Sequence, residues 1–152
     1  RYARIKIPII SMKEYHTEII MNASVDRVWA ALTDFSAYPD WNPLVGWLKG
    51  DFNPDGQIQM FITPLNRSFK AKLKKVQEHK EYTWIGVAIA PWFLSGEHYY
   101  RLEKINDAST RLLHGEYFRG WGSALIGKSM LRKMENALIE HNLRLKERIE
   151  RE

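Results

Sequence analysis

The stretch Trp121–Glu152, WGSALIGKSMLRKMENALIEHNLRLKERIERE, decides the fold. Trp121, Ala124, Gly127, Leu131, Met134, Leu138, His141, Leu145 and Ile149 recur at steps of three and four, the spacing of one stripe on an α-helix. Lys128, Arg132, Lys133, Glu140, Arg144, Lys146 and Glu147 fill the other face, with Glu140 and Arg144 in the favourable acid-then-base order at four-residue spacing. At 1.5 Å per residue such a helix spans about 45 Å, too long for one short helix to cover. A broad, curved sheet can cover it. A coiled-coil tail is the competing reading, but Gly127 and His141 in the seam and poorly matched flanking charges speak against it.

Composition sets the bounds. With 152 residues, 45% of them hydrophobic, the chain can bury one core and is too short for two domains of ordinary size. Cysteine is absent, which excludes a disulfide scaffold, a thiolate zinc site and a cysteine nucleophile, and makes a cytoplasmic location the default expectation. A net charge of +5 with 27% charged residues reads as ordinary solvation. No nucleic-acid motif is visible, so no nucleic-acid partner is expected.

Residues 1–13 (RYARIKIPIISMK) contain no apolar run long enough for a membrane span or a signal sequence. They are read as an N-terminal extension, native or added during cloning, with Met12 as a candidate start, and 14–152 as a single domain. Glu14–Ala23 alternates as a first strand. Ser24 is a natural N-cap for a helix carrying Val25, Val28, Trp29 and Leu32, with Asp26 in its first turn. Ser36–Trp41 reads as a second short helix, stopped because Pro43 pushes Asn42 out of helical geometry. Strands then follow at Val45–Gly50, Gln57–Thr63, Arg67–Val76, Glu81–Ala90, Gly96–Ile105 and Thr110–Arg119, with turn chemistry at Asn53–Gly56 and Asn106–Ser109. The alternation of Phe69, Ala71 and Leu73 with Lys70, Lys72 and Lys74 makes the lysines the solvated face of an antiparallel sheet. The result is α+β, with about seven strands, near the usual limit for a twisted open sheet.

This order, together with VWAALTDFSAYPDWNP (Val28–Pro43), SGEHYYRLE (Ser95–Glu103) and TRLLHGEYFRG (Thr110–Gly120), resembles the START-like or SRPBCC superfamily, in particular its polyketide cyclase/dehydrase-like branch of small bacterial proteins. The resemblance runs from about Tyr15 to Glu150. It implies a helix-grip fold, a curved antiparallel sheet wrapped around the C-terminal helix, with a cavity between them for a lipid, polyketide or other apolar or amphipathic molecule. A curved sheet cannot follow a straight helix along its whole length, and an empty apolar void costs on the order of 24 cal/mol per Å³.

Residues for the ligand fall into three groups. Pro91-Trp92-Phe93-Leu94 joins two strands and is unusually apolar for a loop, so Trp92 and Phe93 are expected at the cavity mouth, opposite Trp41 and Asn42. Met60, Phe69, Trp84 and Phe118 on the sheet and Leu131 and Met134 on the helix are expected to line apolar walls. Strand parity places His114 and Glu116 on the face of Leu112 and Phe118, and His98 and Tyr100 together on the neighbouring strand. His98, His114 and Glu116 are thus the candidates for holding a polar end or, on the alternative enzyme reading, for the acid/base work of a cyclase, dehydratase or hydrolase. Two histidines and a carboxylate also match an iron triad, but inward polar residues more often bond one another, so no metal or cofactor is assigned. Neither nucleophile elbow, phosphate loop, dinucleotide fingerprint nor HExxH occurs. A third reading, a membrane- or protein-interaction module, would use Trp92 and the lysine strand; membrane contact is not expected under the first.

Overall fold

The computed structural model describes residues 12–88 and 90–151. In chain order they form β1 (Met12–Met21), α1 (Val25–Thr33), a 3-10 turn (Phe35–Ala37), α2 (Tyr38–Trp41), β2 (Val45–Gly50), β3 (Gln57–Ile62), a 3-10 turn (Thr63–Leu65), β4 (Arg67–Gln77), β5 (Glu81–Ala88), β6 (Leu94–Asn106), β7 (Ser109–Arg119), a 3-10 turn (Trp121–Leu125) and α3 (Lys128–Arg151). Ser24 caps α1, its hydroxyl accepting from Arg27 N at 3.4 Å, and the helix buries Val28, Trp29 and Leu32. Asn42, ahead of Pro43, turns to extended geometry and ends α2.

The seven strands make one antiparallel sheet in the order β1-β7-β6-β5-β4-β3-β2, a six-strand meander with the first strand added beside the last. β4 presents Ala71 and Leu73 to the core and its lysines to solvent, where Lys72 meets Asp55 at 3.3 Å and Lys74 meets Glu97 at 3.1 Å. α3 lies on the inner face of the sheet and buries Met134, Leu138, His141, Asn142, Leu145 and Ile149. Each fully buried aliphatic side chain there contributes on the order of 2 kcal/mol. Polar contacts tie down the far end: Arg27 Nη2 donates to Ile149 O at 2.7 Å, and Lys146 Nζ to Ile20 O at 2.9 Å. This is the helix-grip α+β architecture.

Two expectations are corrected. The helix begins at Lys128, not Trp121, and its 24 residues span about 36 Å. Gly120 adopts φ 100°, a left-handed backbone suited to glycine, and turns the chain so that Trp121 N and Gly122 N donate to Trp92 O and Phe93 O. The following residues therefore close as a 3-10 turn that leaves Trp121 and Leu125 exposed. The first strand also starts earlier than Glu14: Met12 and Lys13 pair with Arg119 and Phe118. Residues 1–11 of the expected extension lie outside the described residues. No helix among the described residues is long and apolar enough to cross a membrane.

Candidate functional site

Between the sheet and the start of α3 lies a cavity of about 290 Å³. Its walls include Met60, Phe69 and Trp84 from the sheet and Leu131 and Met134 from α3, and Phe69, Val87 and Met130 are partly exposed along its open side. Polar side chains reach it at one place, where Glu116 and His98 join the lining beside Phe118 and Gly96. Lys70 also borders the cavity, but strand alternation sends its side chain to the outer face, and it is exposed.

Register explains why these side chains meet. Tyr15 pairs with Glu116, Glu116 with His98, and His98 with Trp84, so one row crosses four strands on the inner face. The next row holds Thr17, His114, Tyr100 and Tyr82. α3 adds His141 and Asn142 beneath it. Tyr15 donates its hydroxyl proton to Glu116 Oε2 at 2.7 Å, and His98 Nδ1 lies 3.2 Å from the same oxygen. His98 Nε2 and His114 Nε2 are 2.7 Å apart, and His114 Nδ1 and His141 Nδ1 reach Asn142 Oδ1 at 2.8 and 3.1 Å.

The proton positions follow from one hydroxyl. Thr17 has a single hydroxyl proton and gives it to His114 O at 2.7 Å, so the Asn142 atom 2.9 Å from Thr17 Oγ1 must be the donating Nδ2. Asn142 Oδ1 then accepts from Nδ1–H of both histidines, which leaves His114 Nε2 a bare acceptor. His98 must therefore donate from Nε2. The His98 Nδ1 to Glu116 Oε2 contact carries one further proton, on one partner or the other. Burial, with His141 and His98 close by, pushes the His114 pKa well below its ordinary value, so the ring is neutral, as the chain of bonds requires. Burial likewise lowers His141, to about 3. Burial and the neighbouring Glu116 push the Tyr15 hydroxyl far up, keeping it a donor.

The expected residues separate into those on the cavity and those away from it. Met60, Phe69, Trp84, His98, Glu116, Phe118, Leu131 and Met134 line it. His114 and Tyr100 do not; they lie fully buried behind it, stacked at 4.1 Å between ring centroids. The mouth formed by Trp41 and Asn42 facing Trp92 and Phe93 is not what the structure builds. Asn42 is buried and accepts from Leu44 N and Val45 N at 3.0 and 2.8 Å, shaping the turn into β2, while Trp41 packs on His141 with ring centroids 5.2 Å apart. Trp92 is 70% exposed, and Phe93 lies against Gly122, where an added Cβ would come within 2.9 Å of its ring. Sequence reasoning missed Tyr15, Thr17, His141 and Asn142 as partners. Strand parity is the signal that could have found the first two, because Tyr15 and Thr17 share a face with the buried Met21.

The chain matches, over residues 12–150, the family described as "Polyketide cyclase / dehydrase and lipid transport". It belongs to that family. No curated protein matches it in sequence. Solved structures of similar fold include the ZhuI aromatase/cyclase from a Streptomyces species (14% identity, TM-score 0.72, 93% of this chain and 95% of that one). A START superfamily protein from Mycobacterium smegmatis is also similar (18% identity, TM-score 0.66, 91% and 97%), as is Ara h 8.0201 (10% identity, TM-score 0.69, 93% and 100%). At these identities the structural likeness establishes the helix-grip fold and nothing finer.

Proposed function

We propose that the protein binds a small apolar or amphipathic molecule, of lipid, polyketide or aromatic type, in the cavity between sheet and α3, with its polar end at Glu116. The observation that carries this reading is a cavity of about 290 Å³ with apolar walls and a single polar spot. That combination is the usual form of a small-molecule site, in which apolar walls hold the body and a few polar groups orient it. Membership of a family described by cyclase, dehydrase and lipid transport supports it. The test is native mass spectrometry of purified protein, followed by organic extraction. An apolar adduct released by solvent is expected; a protein that carries no adduct and takes up no apolar probe would overturn the reading.

The hydrogen-bonded chain from Glu116 through His98 to His114 favours a second reading, acid/base chemistry on the bound molecule. It is separated from simple binding by following an identified ligand with time. Conversion that stops in His98→Asn while binding persists would establish turnover. An unchanged ligand would leave binding alone.

A further inference from the structure

We infer that the cavity selects molecules whose buried end is a neutral hydrogen-bond donor, a phenol or an alcohol, and rejects carboxylates and ammonium ions. The inference rests on the ligand-binding reading above and names what Glu116 recognises.

Of the polar side chains lining the cavity, Lys70 points outward, which leaves His98 and Glu116. Both ring nitrogens of His98 are engaged, Nδ1 with Glu116 and Nε2 with His114, so the imidazole has no donor left for a ligand. Both protein contacts to Glu116 converge on Oε2. Oε1 has no hydrogen-bond partner among the described residues and lies beside Gly96, where an added Cβ would come within 2.9 Å of it. Glycine at that position keeps the approach to Oε1 open.

Oε1 is an acceptor in either location of the shared proton. With the proton on His98, Glu116 is a carboxylate and Oε1 carries lone pairs. With the proton on Oε2, Oε1 is the carbonyl oxygen of a carboxylic acid and still carries lone pairs. A ligand hydroxyl satisfies it. A ligand carboxylate sets acceptor against acceptor at Glu116, because the one lysine of the lining, Lys70, is exposed on the outer face, and its desolvation goes uncompensated. An ammonium ion can donate, but the charge of Glu116 is already balanced by the proton it shares with His98, so the incoming charge would be buried without a full partner.

The test uses three probes with the same bicyclic body, 2-naphthol, 2-naphthoate and 2-naphthylmethylammonium, displacing the neutral dye N-phenyl-1-naphthylamine from the intact protein at neutral pH. Naphthol should displace the dye at about tenfold lower concentration than either ion, a difference worth about 1.4 kcal/mol. In Glu116→Gln, whose amide can donate as well as accept, naphthol and naphthoate should come within about threefold of each other. Gly96→Ala, which covers Oε1 without touching the acid itself, should selectively weaken naphthol. Naphthoate or the ammonium probe binding as tightly as naphthol, or a ranking unchanged in both variants, would overturn the inference and leave the cavity reading intact. Failure of the dye and all three probes to bind would instead remove the ligand-binding reading, and this inference with it.

Discussion

The Nε2 atoms of His98 and His114 face each other at 2.7 Å, so one ring must carry a proton there and the other must not. The choice is made 28 residues further along the chain, where Asn142 Oδ1 takes the Nδ1 proton of His114 and so fixes its tautomer. A helix residue thereby determines what a sheet residue can offer at the cavity wall.

Replacing Asn142 by leucine should therefore cost about 2–4 kcal/mol in urea unfolding. Two buried Nδ1–H donors would lose their acceptor, and an unsatisfied buried group costs about 1–3 kcal/mol. Loss of less than about 0.5 kcal/mol, the range of ordinary surface changes, would mean that the tautomer is not set there.

Stability should fall on acidification below about pH 6.5. His114 and His141 have folded-state pKa values depressed by burial, so below about 6.5, and down to about 3 for His141, the unfolded chain binds protons that the folded chain refuses. The stabilisation is complete above the unfolded value and is lost as pH falls, by about 1.4 kcal/mol per pH unit for each ring. Urea titrations between pH 7.5 and 4 measure the slope, and His141→Leu should reduce it by one proton's worth. An identical slope in that variant would show that His141 is not among the groups responsible.

Trp92→Ala should leave thermal stability nearly unchanged, within about 0.5 kcal/mol. The side chain is 70% exposed and lies outside the cavity lining, while the backbone oxygen that meets Trp121 N is kept by any residue. A melting temperature lowered by several degrees would show that the indole is packed.

Much of this architecture was legible in the sequence because period and parity are local properties. β2 runs over the expected residues, and the alternation in β6 and β7 brought His98, His114 and Glu116 to one wall. The start of α3 was not legible. A 3-10 turn also repeats at about three residues, so Trp121 and Ala124 continue the apolar stripe without belonging to the helix, and only the backbone angle of Gly120 reveals the break. Asn142 escaped notice because the stripe was traced through apolar residues, and nothing local says that a polar neighbour will meet two histidines. Trp92 was placed at the mouth by its size, whereas its surroundings depend on how the turn after Gly120 returns to the β5–β6 loop.

Among the described residues β1 sits at the edge of the sheet, yet it supplies the Tyr15 hydroxyl that holds Glu116 and the Thr17 hydroxyl that orients Asn142, across 101 and 125 residues of chain. On the proposed reading, with a ligand's polar end at Glu116, attachment of the first strand and occupancy of the cavity are linked. A molecule held at Glu116 favours the docked strand over the frayed one by as much as docking improves its affinity, because linkage is reciprocal. An edge strand is ordinarily the part of a sheet most easily peeled away; here its fraying would unset the recognition chemistry and open the β7 edge to other pairing. Filling the cavity should thus be felt at the beginning of the chain, as slower amide exchange along β1.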